Sequence, residues 1–262
     1  MELKVDDKVV YAATGNREFD PALPSVVFVH GAGMDHTVWV LPTRYFVRHK
    51  RNVLAIDLPG HGRSGGPLLT SIEEMGDWII RVLDVAGLEQ AAVVGHSMGS
   101  LAALEAAVRH PSRVRSLVMV GTSVPMPVTD ALLDSSKAND HLALDMLNVW
   151  GHSRGAHIGG NATPGMWMMG GGIRLLERAA PGVVHTDLKA CNEYADGLEH
   201  AKTVSCPALL ILGERDMMAP PKAALELSHA IANAETVKFK GAGHALLSER
   251  PDPVLDQLIR MV

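Results

Sequence analysis

Short, continuous apolar runs alternate along the chain with segments that have helical periodicity. Because these runs do not alternate in polarity, each predicts a strand buried on both faces of a parallel sheet. The five such runs are residues 25–31, 52–58, 91–95, 116–121 and 208–213. Residues 2–6 and 8–14 predict an antiparallel edge, and residues 235–240 predict a last strand.

The helical pattern is clearest over residues 71–86, where apolar residues recur every three or four positions. Thr70 and Glu73 have the spacing of a capping box at its start, and Gly87 ends it. Further helices are predicted over residues 98–110, near residues 220–232, and from Pro253 onward.

The alternation of strands and helices breaks between residues 123 and 205. This segment has Gly and Pro clusters but no strong strand pattern, and it is too long for a loop of a compact domain. The sequence therefore predicts an α/β core in two parts, residues 1–122 and 206–262, with a mostly helical cap of residues 123–205 between them.

Composition narrows the class of protein. The 262 residues are 47% apolar and carry a net charge of −5 without a Lys/Arg run, which argues against nucleic-acid or anionic-membrane binding. Two cysteines, Cys191 and Cys206, exclude a disulfide scaffold and a four-cysteine zinc site. Neither a signal-peptide pattern nor a run of eighteen apolar residues occurs. We expect a soluble, cytoplasmic protein, either a monomer or a homodimer.

The motif Gly95-His96-Ser97-Met98-Gly99 lies where a predicted buried strand meets a predicted helix. That context is typical of a nucleophile elbow, in which a sharp, strained turn exposes the serine hydroxyl. Glycine suits positions 95 and 99 because side chains there would collide across the turn. Ser97 is therefore the candidate nucleophile.

A serine nucleophile needs a base, and the base needs an acid that orients it. Among thirteen histidines we favour His244, because it follows two glycines just after the last predicted strand. Asp216, just past the strand 208–213, is the candidate acid; Glu214 and, more weakly, Asp130 are its rivals. The order Ser97, Asp216, His244 is that of a Ser…Asp…His triad.

Small residues after the strand 25–29 suggest an oxyanion hole. In His30-Gly31-Ala32-Gly33, backbone amides can approach a developing oxyanion. We assign one oxyanion donor to the Ala32 amide, with the Gly33 amide as the second choice for that position, and the other donor to the Met98 amide. A plain β-turn would also explain the motif. The Gly-rich run 57–64 fits no phosphate-binding pattern, so we expect Asp57 to order a loop.

Together these motifs resemble the α/β-hydrolase superfamily over most of residues 25–122 and 208–250. The resemblance implies a mostly parallel eight-stranded sheet, helices on both faces, a cap between strands six and seven, and no cofactor. A serine at position 97 argues against the branches that use an Asp or Cys nucleophile. The motifs look most like carboxylesterases, enol-lactonases and cofactor-free perhydrolases.

Methionine and tryptophan residues adjoin the candidate site. We predict that Met34, Trp150, Trp167 and Met217 line an apolar, adaptable substrate pocket, although methionine also fills gaps in protein cores. The cap histidines have no zinc-helix spacing, so we expect no metal and interpret them as surface imidazoles; they are His141, His152, His157 and His185.

These observations favour a serine hydrolase that cleaves a small, largely apolar carboxylic ester or lactone through an acyl-enzyme. The same triad could instead serve a C–C bond hydrolase of the meta-cleavage-product type, a thioesterase or a hydroxynitrile lyase. A ligand-binding protein with little turnover is a further alternative, but it would need none of the three triad residues.

Overall fold

An eight-stranded sheet forms the centre of the molecule. The computed structural model describes residues 1–20, 22–160 and 166–262. The strands follow the order β1-β2-β4-β3-β5-β6-β7-β8 across the sheet. β2 pairs antiparallel with β1 and with β4, and all other neighbours are parallel, which confirms the predicted mostly parallel sheet with an antiparallel edge. The strands are β1 Glu2–Val5, β2 Lys8–Ala13, β3 Ser25–Val29, β4 Asn52–Ile56, β5 Ala91–His96, β6 Val114–Val120, β7 Ala208–Gly213 and β8 Ala234–Phe239.

Helices cover both faces of the sheet and fill the segment between β6 and β7. In the described part of the chain, none of them is long and apolar enough to cross a membrane. A short 3-10 helix, His36–Trp39, precedes the first α-helix. The α-helices are α1 Val40–Arg48, α2 Ile72–Val85, α3 Met98–Arg109, α4 Asp130–Lys137, α5 His141–Gly151, α6 Arg154–His157, α7 Met168–Leu176, α8 Val183–Glu193, α9 Gly197–Ala201, α10 Pro221–Ala230, α11 Leu246–Glu249 and α12 Pro251–Met261.

The central strands divide their side chains between two cores, one on each face of the sheet. In β3, Val27 and Val29 join the cluster that includes apolar residues of α2 and α3. Val26 and Phe28 point the other way and pack with residues that include Trp39 and Phe46. Successive side chains of a strand face opposite ways, so a strand with a core on each side needs an unbroken apolar run.

The segment between β6 and β7 contains α4 to α9 and no strand among its described residues. Residues 161–165, within the Gly- and Pro-rich part of the predicted cap, lie outside the described chain. A third, smaller apolar cluster joins these helices, including Leu132, Leu147, Val184 and Leu188. The helical content agrees with the predicted cap, and the boundaries 1–122, 123–205 and 206–262 stay predictions.

Two predicted helix starts are corrected by the structure. Ser71, not Thr70, caps α2: its hydroxyl accepts a hydrogen bond from the Glu74 amide, and the Glu74 carboxylate accepts from the Thr70 amide. The N-cap therefore falls one residue later than the Thr70–Glu73 spacing suggested, and Glu74 bonds the residue before the cap rather than the cap itself. The last helix begins at Pro251 rather than at Pro253, because Pro251 takes the first-turn position where a missing N–H costs nothing.

The parallel strands place the candidate catalytic residues at one edge of the sheet. His30–Gly33 follows β3, Ser97 follows β5, Asp216 follows β7 and His244 follows β8. Because β3, β5, β7 and β8 run in the same direction, their carboxyl ends meet at the same edge.

Candidate active site

Ser97 lies in a strained turn between β5 and α3. Its backbone has φ 53° and ψ −123°, in the left-handed region that favours glycine, and it directly precedes the first turn of α3. A Cβ on Gly95 would come within 1.9 Å of the Gly99 carbonyl oxygen, and one on Gly99 within 2.4 Å of the His30 carbonyl oxygen. The two glycines therefore allow the close backbone approach that the turn requires.

His244 and Asp216 form a buried hydrogen-bonded pair. The His244 Nδ1 lies 2.8 Å from the Asp216 Oδ2, and both side chains are almost fully buried. The other Asp216 oxygen accepts hydrogen bonds from the amides of Met218 and Ala219. A carboxylate can only accept, so Nδ1 carries the proton in the neutral ring and Nε2 is left as an acceptor. That Nε2 is buried and has no partner among the described residues.

The structure distinguishes Asp216 from its two rivals by contact. Glu214 accepts a hydrogen bond from the Gly241 amide, and Asp130 begins α4 with an exposed side chain. Ser97 and His244 line the same cavity, where the Asp216-bound ring leaves its second nitrogen free. The geometry thus brings Ser97, His244 and Asp216 together, and their catalytic roles remain predictions.

The turn after β3 lies beside Ser97. It closes with a hydrogen bond from the Met34 amide to the Gly31 carbonyl, and Gly33 has φ +67°. A Cβ on Gly31 would lie 3.1 Å from the Ser97 Cβ. The Gly33 amide donates a hydrogen bond to Asp187 Oδ2 at 2.8 Å. Our second choice of oxyanion donor is therefore already paired with a carboxylate. Ala32 lines the cavity and keeps its predicted role.

The second predicted donor is the Met98 amide. Met98 is the first residue of α3, and the amides of a first helical turn have no acceptor within the helix. The amide is also at the positive end of the helix dipole, which favours negative charge developing near Ser97.

A largely apolar cavity of about 150 Å³ opens beside Ser97. Three predicted pocket residues, Met34, Trp150 and Met217, line it. The prediction that Trp167 lines the pocket is wrong. This residue is 73% exposed and is not among the described residues that line the cavity. It precedes α7, and its ring packs over the Gly170 backbone of that helix instead.

Sequence reasoning missed two polar residues of the cavity, Asn148 and His152. His152 is buried, contrary to the predicted surface position, and burial lowers its pKa. Its Nδ1 lies 2.8 Å from the Asn148 carbonyl, while the Asn148 side chain donates to the Met169 carbonyl. His152 ends α5 on the side of the helix where Asn148 is buried, but the sequence does not show that this side faces the cavity.

His96 links the elbow to the His244 loop. Its Nε2 lies 3.0 Å from the His244 carbonyl oxygen, which can only accept, so this nitrogen carries the proton. Burial and the neighbouring His244 lower the pKa of His96 to about 3. A neutral His96 therefore holds the backbone of His244 in place.

One cluster resembles a metal-ligand set. Asp35, His36 and Asp57 have ligand atoms within 4.8 Å of one another. The Asp57 carboxylate already accepts hydrogen bonds from His36 and from the Arg63 amide, and Asp35 pairs with Arg178. These contacts order the loop after β4, as expected for Asp57.

Comparison with known proteins decides the family. The model of the alpha/beta hydrolase family matches residues 26–257. The chain belongs to this family. The predicted resemblance to the alpha/beta hydrolases is confirmed, and the relatives that follow include an esterase at 26% identity.

Three proteins illustrate how this alpha/beta hydrolase compares with others. "Putative carbamate hydrolase RutD" from Caulobacter sp. (strain K31) is 29% identical over 240 residues, which cover 87% of this chain and 86% of that protein. The crystal structure of the enol-lactonase from Burkholderia xenovorans LB400 has a TM-score of 0.86 at 20% identity, and the match covers 99% and 98% of the two chains. A thermophilic esterase has a TM-score of 0.82 at 26% identity, with 99% and 95% covered. The family and these relatives support a hydrolase.

Proposed function

We propose that this alpha/beta hydrolase is a serine hydrolase that cleaves a small, largely apolar carboxylic ester or lactone. The observation that carries the proposal is the position of Ser97: a strained elbow faces an apolar cavity that also contains the Asp216-bound ring of His244. A serine hydroxyl and an imidazole nitrogen without a hydrogen-bond partner, both lining one cavity, are the groups that general-base activation of a serine requires.

The proposed reaction has two halves. Ser97 Oγ attacks the carbonyl carbon while His244 Nε2 takes the hydroxyl proton, and Asp216 stabilises the resulting imidazolium through Nδ1. The amides of Ala32 and Met98 hold the oxyanion. His244 then gives its proton to the leaving alkoxide. Water hydrolyses the acyl-enzyme, again with His244 as the base, and releases the carboxylic acid.

The cavity supports a small and mainly apolar substrate. Its walls carry leucine and methionine side chains, with Asn148, His152 and Thr129 as the polar groups away from Ser97 and His244. The cavity volume of about 150 Å³ supports a small substrate. Because of the carbamate hydrolase relative, a carbamate ester is a second acyl substrate to test.

The first experiment measures turnover of p-nitrophenyl esters of increasing acyl length. Ser97→Ala should lower kcat by a factor on the order of 10⁶, because the triad acts as a unit. Ser116→Ala is the matched control: Ser116 is also a buried serine, but its hydroxyl bonds the Met261 carbonyl far from the cavity. This control should keep wild-type activity.

Two results would contradict the proposal. One is turnover that survives in Ser97→Ala, and the other is a wild type that turns over no ester, lactone or carbamate faster than Ser97→Ala does. Diketones, thioesters and cyanohydrins are the comparison substrates, because the same triad could serve their cleavage. Tight ligand binding without turnover would favour a binding protein. A cytoplasmic location, a small-molecule ester or lactone substrate, the absence of nucleic-acid and membrane partners, and a monomeric or homodimeric state stay predictions.

A further inference from the structure

A second buried His–Asp pair lies behind the turn after β3. Asp187, on α8, is fully buried, and its Oδ2 accepts a hydrogen bond at 2.8 Å from the Gly33 amide. The same oxygen lies 2.8 Å from the Nε2 of His61, in the loop after β4. One carboxylate oxygen of a residue in the predicted cap thus contacts two separate loops of the core.

The charges of this pair follow from its partners. His61 Nε2 faces a carboxylate and His61 Nδ1 faces the Pro59 carbonyl at 3.1 Å, so both ring nitrogens point at acceptors and both must donate. Burial opposes the charge on His61, but Asp187, the Pro59 carbonyl and Asp57 together outweigh burial and raise the pKa of His61. The pair is therefore a buried imidazolium and carboxylate.

We propose that Asp187, whose negative charge is balanced by His61, is a positioning residue for the oxyanion hole. It binds the Gly33 amide and so fixes the peptide planes of the turn, which directs the preceding Ala32 amide toward the carbonyl at Ser97. This inference rests on the proposed serine-hydrolase function, because only a reaction that develops an oxyanion needs the turn held this way.

Packing on the same helix supports this role. A Cβ on Gly33 would lie 2.9 Å from Val184, which is one helical turn before Asp187, so α8 presses directly on the turn. Leu188 and Cys191, further along α8, line the cavity. One helix therefore both bounds the substrate space and holds the turn that would bind the oxyanion.

The test compares three variants in ester turnover. Asp187→Leu combined with His61→Leu removes the acceptor and its counter-charge together, which buried ion pairs tolerate better than loss of one partner. Asp187→Asn keeps an oxygen that can accept from the Gly33 amide. Tyr194→Phe is the matched control, because Tyr194 ends the same helix and donates to another buried carboxylate, Glu105, away from the cavity.

We expect the double leucine variant to lose about 10- to 100-fold in kcat with KM nearly unchanged, because misplacement by about 1 Å costs that much. Its affinity for a boronic acid that forms a tetrahedral adduct with serine should fall by the same factor. Asp187→Asn should retain most of the wild-type kcat, and Tyr194→Phe should retain all of it.

Three outcomes would overturn the inference: unchanged kcat in the double variant, an equal loss in Tyr194→Phe, or equal losses in Asp187→Asn and the double variant. If the double leucine variant does not fold, Asp187→Ala combined with His61→Ala replaces it, because alanine removes both charges without adding volume. Failure of the proposed function is separate, since it would show as wild-type activity that does not depend on Ser97.

Discussion

The buried histidines of the site carry different charges because their neighbours differ. Burial and the nearby His61 charge lower the pKa of His30 to about 4, and that of His96 falls to about 3. His61, equally enclosed but paired with Asp187, keeps its proton. Neutral rings serve as hydrogen-bond links here: His30 Nε2 accepts from the Leu58 amide, and His96 donates to the His244 carbonyl.

The neutral histidines predict a loss of stability in mild acid. Below pH about 6.5 the unfolded chain protonates His30 and His96, whereas the folded chain does not until pH about 4 and about 3. The unfolded state therefore binds more protons, and the free energy of unfolding falls as pH falls from 7. Each histidine should remove about 2 kcal/mol by pH 5.

Urea denaturation at pH 7 and pH 5 checks this prediction. His96→Gln keeps a side-chain donor for the His244 carbonyl but cannot be protonated, so its loss between the two pH values should be about 2 kcal/mol smaller than in the wild type. His229→Gln, at an exposed position on α10, is the control. An unchanged pH dependence in His96→Gln would contradict a neutral buried His96.

At the scale of elements, the junction between β5 and α3 is the tightest point of the fold. Gly95 and Gly99 stand where added side-chain atoms would meet backbone oxygens, which cannot move aside as a flexible side chain can. The strained backbone of Ser97 persists because β5 on one side and α3 on the other fix it.

Gly95→Ala should therefore destabilise the protein by about 3 kcal/mol or more, since overpacking against rigid atoms is costly. Gly171→Ala is the matched control, because Gly171 lies within α7 and a Cβ there meets nothing within 4 Å. That control should leave stability unchanged or raise it by up to about 1 kcal/mol, as alanine favours helix. Equal midpoints of urea unfolding in the two variants would refute the close approach.

Strands and the ends of strands could be predicted from sequence because their signals are local. The central buried strands are unbroken apolar runs, and Ser97 and Asp216 follow two of them, β5 and β7. His244 follows β8, a partly exposed strand of mixed polarity, and its signal is the pair of glycines just before it. For α8 the sequence predicts only a mostly helical cap, and Asp187 is a charged residue on the buried side of that helix in the structure.

What could not be predicted depends on how the cap packs on the core. The partners of Asp187 are Gly33 and His61, which are 154 and 126 residues away in the chain. Trp167 and His152 were misplaced for the same reason, since only the tertiary contacts decide which side chains of the cap face the cavity. Local periodicity indicates that one face of a helix is buried, but it does not indicate which element covers that face.

At the scale of the whole molecule, two parts of the chain contribute side chains to the candidate site: the α/β core and the helical segment between β6 and β7. The core supplies Ser97, Asp216 and His244 at one edge of the sheet, and the helices between β6 and β7 supply much of the cavity wall. Under the proposed function, the core groups would set the chemistry, and the helical segment would set the size and polarity of the substrate. Substitutions of cavity-lining leucines, such as Leu147, should therefore change the preferred acyl length more than the reaction type.

The most direct test of the account is to trap the nucleophile. The wild type is treated with a p-nitrophenyl alkylphosphonate, which phosphonylates activated serines, and the labelled peptide is identified by mass spectrometry. The account predicts one label per chain, on Ser97, with parallel loss of ester turnover and no label in Ser97→Ala. A label on another residue, or full turnover in a chain labelled on Ser97, would contradict it.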